Sequence, residues 1–281
     1  MNMTGAGSLI AATYMYRKAR PDGLTVGVFS PAIVFSNAMG DRKVRLDARK
    51  FGWIGTPTPD SVTCAIMGHT GLKTLDDIVK SGRTLKMAAT RQGSNTSSPL
   101  LFLNEALGTK FDVITGYGGT ATMRLAMQSG EAAGGCWTWE SMRVTARSML
   151  DAEGDSKFIP FIIKRRWSDP EVKDIPLFGE IIKDKHILAK YNAWDAQNEI
   201  TRPYMVPPGT PKDRLNILRK AFRSVMEDPK FLAEAKNSKL NVKHVTWQQI
   251  EKTIKKLFSM SPQMIESLEF IAGIKRKKPK D

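Results

Sequence analysis

Residues 113–131 read VITGYGGTATMRLAMQSGE, and this stretch decides how the chain folds. The branched residues before Gly116 predict a strand over 111–115, and the spacing of apolar residues after Gly119 predicts a helix over 120–129. The turn between them is rich in glycine, which leaves backbone N–H groups uncovered. A helix start leaves about four such groups unpaired and carries roughly half a positive charge. The stretch therefore predicts a strand–loop–helix unit that can hold a carboxylate or a phosphate.

Strands and helices alternate on both sides of this stretch. Further strands are predicted at 24–29, 51–55, 61–67 and 85–90, with one helix starting at Thr74 and another over 99–107. Loops are predicted at 167–170 and 175–176, an extended segment over 200–206, and helices over 211–225, 228–235 and 247–258. Strands that alternate with helices of this length indicate an α/β fold.

Composition and charge narrow the classes of function. Hydrophobic residues make up 41% of the 281 and charged residues 25%, as in globular proteins. No window approaches the about 18 apolar residues of a membrane span, and the amino terminus does not predict a signal peptide. The net charge of +15 favours small anions as partners. The one tight basic run, 275–280, is typical of a solvated tail, so we expect no nucleic-acid partner.

The cysteines and histidines form no pattern of metal ligands. Cys64 and Cys136 lie far apart in the chain, and His69, His186 and His244 are equally scattered. No metal site is therefore predicted. Unpaired cysteine is usually buried as a small hydrophobic residue, so we expect two free, packed thiols, with a single disulfide as the alternative.

Three predicted strands end in small polar or glycine residues just before a predicted helix. These loops are residues 29–32, 90–99 and 116–121. Ser98 and Thr120 suit the position that caps the start of a helix. Because open α/β sheets bind ligands at the carboxyl ends of their strands, the loops predict an anion site. Glycine and serine are also the ordinary residues of turns and caps, and that alternative stays open.

The turn also supports an alternative hypothesis, a nucleotide-dependent enzyme. Gly116, Gly118 and Ala121 match the dinucleotide-binding pattern G-x-G-x-x-G/A, and Glu140 follows about 20 residues later. The residues before Glu140 are, however, poor in the branched side chains of a buried second strand. The sequence contains neither G-x-S-x-G nor H-E-x-x-H. These patterns therefore require neither an enzyme nor a cofactor.

Five short motifs, spread over nearly the whole chain, follow the order found in one known family. They are 4–12 (TGAGSLIAA), 20–25 (RPDGLT), 72–78 (LKTLDDI), 117–121 (YGGTA) and 206–211 (VPPGTP). These motifs resemble, in the same order, P-G-A-G-G…I-A-A, A-P-D-G-Y-T-L, K-S-x-x-D-L, Y-K-G-G-x-x-A and A-P-x-G-T-P. Such motifs are typical of the periplasmic solute-binding receptors of tripartite tricarboxylate transporters, the Bug family.

The resemblance implies an α/β fold of the type II periplasmic-binding kind, in which two domains clamp a ligand and the chain crosses between them twice. We expect the crossings near 69–72 and 202–206, so that one domain contains 1–71 and 203–281 and the other 72–202. Such receptors are periplasmic and are not enzymes. They capture a small organic anion and deliver it to the membrane subunits of a transporter. We expect a monomer that binds a dicarboxylate, a tricarboxylate or an aromatic carboxylate.

In the family, backbone N–H groups and hydroxyls of strand-end loops hold the carboxylates of the ligand. At the matching positions, the resemblance implies the ligand-binding residues Ser30, Thr90, Gly93, Ser94, Ser98, Tyr117, Gly118, Gly119, Thr120 and Ala121. Segment 137–140 matches a turn at the far end of the ligand, which adds Trp137 and Glu140. The tryptophans of this segment favour a bulky ligand, with core packing as the alternative. From its guanidinium chemistry we add Arg202, for which a salt bridge within the protein is the alternative.

Members of the family carry a first strand and a glycine-rich loop ahead of the motif at 4–12. The present chain begins inside that motif. The resemblance therefore implies that the first domain lacks its amino-terminal strand and, with it, part of the grip on the carboxylate.

Overall fold

The chain forms two compact units in this computed structural model, which describes residues 1–3, 5–59, 61–166, 169–238 and 240–274. The first unit contains Met1–Asp60 and Ala193–Ile265, and the second contains Ser61–Asn192 and Glu266–Asp281. The chain changes unit after positions 60, 192 and 265. The predicted domain bounds and the crossings near 69–72 and 202–206 stay a prediction. Residues 167 and 168, predicted as loop, and the basic run 275–280 lie outside the described residues.

The described residues form nine strands and thirteen α-helices. The strands are β1 (Gly27–Val28), β2 (Gly52–Thr56), β3 (Val62–Met67), β4 (Thr84–Ala89), β5 (Lys110–Thr115), β6 (Gly134–Thr138), β7 (Phe158–Ile163), β8 (Tyr204–Val206) and β9 (Val245–Thr246). The helices are α1 (Leu9–Arg17), α2 (Ala32–Ala38), α3 (Leu75–Ser81), α4 (Ser98–Leu107), α5 (Thr120–Gln128), α6 (Trp139–Thr145), α7 (Arg147–Leu150), α8 (Phe178–Ile181), α9 (Lys185–Asp195), α10 (Lys212–Glu227), α11 (Pro229–Asn237), α12 (Trp247–Phe258) and α13 (Pro262–Ala272). None of the helices in the described part is long and apolar enough to span a membrane.

The second unit is built on a five-stranded sheet with the order β5-β4-β6-β3-β7. Strand β4 pairs in parallel with both β5 and β6, whereas β3 runs antiparallel to β6 and β7. All six residues of β3 are buried, as expected for a strand covered on both faces. The carboxyl ends of β5, β4 and β6 therefore lie at one edge of the sheet.

The first unit contains a four-stranded antiparallel sheet with the order β1-β8-β2-β9. Helix α10 lies close against β2, because a Cβ atom at Gly52 would be 3.1 Å from Leu215 and one at Gly55 would be 2.8 Å from Phe222. Strand β1 covers only two of the residues predicted at 24–29, while the predicted strand at 51–55 is confirmed as β2. The absence of an amino-terminal strand, implied by the resemblance, stays a prediction.

Local sequence signals set the ends of several helices. Thr74 caps α3 as predicted: its hydroxyl accepts the N–H of Asp77, whose carboxylate accepts the N–H of Thr74 in return. Gly108 ends α4 with φ 66°, as the sequence predicts. Asp228 caps α11 by accepting from the N–H groups of Lys230 and Phe231. The helices predicted at 99–107, 120–129, 211–225, 228–235 and 247–258 are confirmed as α4, α5, α10, α11 and α12.

Strand β6 was not predicted from the sequence. Its first residues are Gly134 and Gly135, which lack the branched side chains that mark a buried strand. The reason is the close approach of β3, because a Cβ atom at Gly134 would stand 2.3 Å from the carbonyl oxygen of Ala65. Strand β7 and helices α9 and α13 were not predicted either.

The two cysteines form a disulfide bond between β3 and β6, so the expectation of free thiols is wrong. Cys64 and Cys136 are register partners on these neighbouring strands, with their Cα atoms 4.1 Å apart. Both are fully buried. The sequence alone could not predict this pairing, because positions 64 and 136 come together only in the sheet.

We predict that the double variant Cys64→Ala/Cys136→Ala unfolds at a lower urea concentration than the wild type. The bond joins residues separated by 72 positions, and closing a loop of this size contributes about 4 kcal/mol to the free energy of unfolding. Wild-type protein unfolded in the presence of a reductant should match the double variant, which should itself be insensitive to the reductant. Equal midpoints for oxidised wild type and double variant would contradict the prediction.

Candidate functional site

Two loops of the second unit lie side by side at the carboxyl ends of β4 and β5. We call residues 90–97 the serine loop and residues 116–119 the glycine loop. The N–H of Gly116 donates to the carbonyl of Thr90 at 3.1 Å, and the N–H of Tyr117 donates to the carbonyl of Ala89 at 3.4 Å. The parallel register of β4 and β5 therefore brings together the two loops predicted to hold an anion.

The serine loop is held by a network of its own hydroxyl groups. The Ser94 hydroxyl donates to the carbonyl of Arg91 at 2.7 Å and lies 2.7 Å from the Thr96 hydroxyl. The Thr96 hydroxyl in turn lies 3.0 Å from that of Thr90 and accepts the N–H of Thr90 at 2.9 Å. Ser94, Thr96 and Ser97 are buried. These hydroxyls stabilise the loop itself, and the role of Thr90 and Ser94 in binding a ligand stays a prediction.

The end of α13 packs directly on the serine loop. Gly93 has φ 77°, and a Cβ atom there would stand 2.1 Å from the carbonyl oxygen of Ala272. The hydroxyl of Ser98 donates to the carbonyl of Ile271 at 3.2 Å, and the side-chain amide of Gln92 donates to the carbonyl of Phe270 at 3.1 Å. Gly93 thus permits a close backbone contact, and the buried Ser98, first residue of α4, bonds to the protein itself.

The glycine loop, in contrast, leaves backbone donors uncovered. Gly118 and Gly119 have no atom within 4 Å of the place where a Cβ would stand. The N–H groups of Gly118, Thr120 and Ala121 donate to no other described residue. The N–H of Gly119 donates to the Thr122 hydroxyl at 3.3 Å. Three free donors therefore stand at the positive end of α5, the arrangement that proteins use to bind anions.

Tyr117 is fixed in the glycine loop by its hydroxyl. That hydroxyl donates to Glu131 at 2.5 Å, and the ring packs against the apolar core of the second unit. The hydrogen bond to Glu131, followed by burial, raises the pKa of Tyr117. The phenol is therefore neutral at physiological pH, and its proton is already directed to Glu131.

The predicted turn at 137–140 is the junction between β6 and α6. Trp137 is buried and stacks on Phe158, with ring centroids 5.3 Å apart. This position favours the core-packing alternative over contact with a bulky ligand. Glu140 lies in the first turn of α6 and is also buried. A ligand contact for either residue stays a prediction.

A buried ion pair holds the junction in place. Asp169 accepts hydrogen bonds from the indole of Trp139 and from the guanidinium of Arg143, both at 2.7 Å. It also accepts the N–H of Glu171 at 3.0 Å. Sequence reasoning missed Asp169 and Arg143, because their positions in the chain give no sign that they meet.

The remaining predicted residues belong to the first unit. Ser30 lies between β1 and α2, where its hydroxyl accepts the N–H of Ala32 at 3.3 Å. Arg202 lies just before β8 and has φ 54°, in a region that residues other than glycine rarely adopt. A sparsely populated backbone conformation is a common mark of functional positions, but it does not identify a ligand.

The sheet argues against a dinucleotide site in the glycine loop. A doubly wound dinucleotide-binding sheet runs parallel through its strands. Here β3 lies between β6 and β7 and runs opposite to both. No group of three or more His, Cys, Asp or Glu residues in the described ranges is arranged to hold a metal ion.

Comparison with known proteins gives matches in fold. No family model and no curated protein matches the sequence. The solved periplasmic binding protein BugD is 19% identical with a TM-score of 0.71, and the match covers 98% of this chain and 86% of BugD. A protein of R. palustris solved with adipate is 15% identical, with a TM-score of 0.73 and coverage of 97% and 85%. MatC from Rhodopseudomonas palustris, solved with malate, is 18% identical, with a TM-score of 0.67 and coverage of 94% and 86%.

These matches confirm the predicted fold. The structural neighbours are periplasmic binding proteins of the Bug and TctC type, which are solute-binding proteins rather than enzymes. At identities below 20% the likeness concerns the fold, and the residues that touch a ligand have to be argued from this chain itself.

We predict that Asp169→Asn destabilises the second unit by about 3–5 kcal/mol, because it leaves the guanidinium of Arg143 buried without its counter-charge. The side chains of this pair are only 10% and 4% exposed. The matched control is Asp151→Asn, which breaks the Arg147–Asp151 pair, where Asp151 is 62% exposed. An exposed pair contributes at most about 1 kcal/mol. Equal losses of unfolding free energy in urea titrations of the two variants would contradict the prediction.

Proposed function

We propose that this protein is an extracytoplasmic solute-binding receptor that captures a small organic carboxylate. The two units act as the lobes of a clamp, and the loaded receptor delivers its ligand to the membrane subunits of a tripartite tricarboxylate-type transporter. The observation that carries the proposal is the set of free N–H groups of Gly118, Thr120 and Ala121 at the start of α5. The fold supports it as well, because structural neighbours were solved with malate and adipate.

The donors of the glycine loop suit a carboxylate. Each oxygen of a carboxylate accepts hydrogen bonds, and bonds with one charged partner are about twice as strong as neutral ones. The N–H groups are fixed by the helix, so they lose little freedom when a ligand binds. The positive end of the α5 dipole adds a favourable interaction of about 0.3–1 kcal/mol. These donors recognise the carboxylate but not the rest of the molecule.

The serine loop has a supporting role in this proposal. Its hydroxyls bond to one another and to the chain, which fixes the loop beside the glycine loop. Ser30, from the resemblance, and Arg202, from its guanidinium chemistry, stay predicted ligand contacts in the first unit.

The proposal is tested by thermal unfolding in the presence of dicarboxylates, tricarboxylates and aromatic carboxylates, one at a time. A ligand at a hundredfold excess over its dissociation constant stabilises the protein by about 2.7 kcal/mol, which raises the unfolding temperature. Nicotinamide dinucleotides serve as the comparison for the alternative enzyme hypothesis. A response to a dinucleotide, with none to any carboxylate, would reject the receptor function.

For a carboxylate that binds, we predict that Thr120→Pro weakens binding about tenfold or more. Proline removes the N–H of Thr120, and proline is well tolerated at the first position of a helix. The preceding Gly119 is already extended, with φ 173° and ψ −178°, as a residue before proline should be. The variant therefore loses one hydrogen bond to a charged group, worth about 1.5–3 kcal/mol.

The matched control is Thr120→Ala, which keeps the N–H and removes only the side chain. Calorimetric titration should give nearly wild-type affinity for this variant. If Thr120→Ala and Thr120→Pro weaken binding equally, the side chain and not the backbone donor holds the ligand. The circular dichroism and unfolding temperature of both free variants show whether α5 still forms.

A further inference from the structure

A cavity in the first unit is lined by cationic and aromatic side chains. It has a volume of about 190 Å³. The lining residues that matter are Arg219, Lys220, Arg223, His244, Thr246 and Trp247. No acidic residue lines the cavity among the residues that the structure describes. Because a water molecule occupies about 30 Å³ in the liquid, the cavity has room for a small anion with some of its water.

Among these cations, Arg219 is the one whose side chain is held in place by contacts within the protein. Its Nε donates to the carbonyl of Trp53 at 2.8 Å, and its guanidinium lies over the ring of Trp247, 3.7 Å from the centroid. One terminal nitrogen, Nη2, donates to Glu251 at 3.3 Å. The other, Nη1, donates to no described residue. Burial lowers the pKa of Arg219, while Glu251 acts in the opposite direction.

Lys220 and Arg223 add two charges on the same helix. Both side chains are exposed, and neither forms a hydrogen bond or an ion pair with a described residue. Arg223 follows Lys220 by three positions and Arg219 by four on α10, so it neighbours both on the helix surface. Like charges at this spacing repel one another. A bound anion would relieve that repulsion.

His244 and the start of α12 complete the lining. Burial, followed by the charge of Arg223, lowers the pKa of His244, while Glu227 acts in the opposite direction. The ring is therefore neutral at pH 7 and has a nitrogen that can donate a hydrogen bond. Thr246 caps α12, a helix of twelve residues whose amino end carries partial positive charge.

We propose that this cavity binds a small, doubly charged oxyanion of the phosphate type. Two cations without partners and the free Nη1 of Arg219 match the charge and the several acceptor oxygens of such a group. Free inorganic phosphate and a phosphate monoester share this chemistry. The cavity shares no residue with the proposed carboxylate site, so the two proposals can fail separately.

The test is calorimetric titration of the full chain with inorganic phosphate and, separately, with glycerol phosphate, at constant ionic strength. We expect saturable binding that Lys220→Gln/Arg223→Gln weakens by about tenfold or more. The matched control, Lys212→Gln/Lys230→Gln, removes the same charge from α10 and α11 but does not touch the cavity, and it should bind like the wild type. Binding of phosphate alone assigns the site to the free anion, whereas binding of glycerol phosphate extends it to monoesters.

Histidine NMR gives a second readout that depends on position. Phosphate should raise the pKa of His244 in the wild type, because an anion favours the protonated ring beside it. The resonances of His69 and His186 should not move when phosphate is added. His244→Asn identifies the resonance. The proposal is overturned if neither anion shows saturable binding, if the two glutamine variants bind equally well, or if the pKa of His244 does not respond.

Discussion

The parallel pairing of β4 with both β5 and β6 is the constraint on which the rest of the second unit depends. Parallel strands point their carboxyl ends to the same edge, so three connecting segments of very different composition become neighbours. The pairing also sets the direction of α4 and α5, which begin at that edge. Had β5 paired in the opposite sense, the free N–H groups at Thr120 and Ala121 would lie at the other end of the sheet.

Close backbone contacts give this edge its rigidity. Gly134 lets β6 approach β3, and Gly93 lets the serine loop approach the end of α13. A side chain at either position would clash with a carbonyl oxygen. Close packing, and not turn geometry alone, therefore requires glycine at both positions. The buried disulfide between Cys64 and Cys136 joins the same two strands covalently, and the Asp169–Arg143 pair fixes the end of β6. The site is thus supported by several independent interactions, of which only the contact of Gly93 lies within a loop.

The polar groups of the two loops have different hydrogen-bond partners, and the proposed function depends on this difference. Hydroxyls of the serine loop are buried and bonded to protein groups, as stable interiors require. The glycine loop has the opposite character, with exposed backbone and free donors at the start of α5. The serine loop is held by its own hydrogen bonds, and the glycine loop beside it has N–H groups without partners. Such an arrangement suits a receptor, because donors held in place before binding lose little entropy when the ligand binds.

The sequence by itself determined the elements whose signals are local. The capping residues Thr74 and Asp228, the terminating Gly108 and the apolar spacing of α12 predict their helices, because these interactions involve neighbouring residues. The motif over 117–121 likewise predicted the glycine-rich turn between β5 and α5, and its role in binding an anion stays a prediction. Only the tertiary structure decided the partners of Cys64, Asp169 and Gly93, and the existence of β6. Those features depend on contacts between residues far apart in the chain, where local composition carries no information about which backbone will come near.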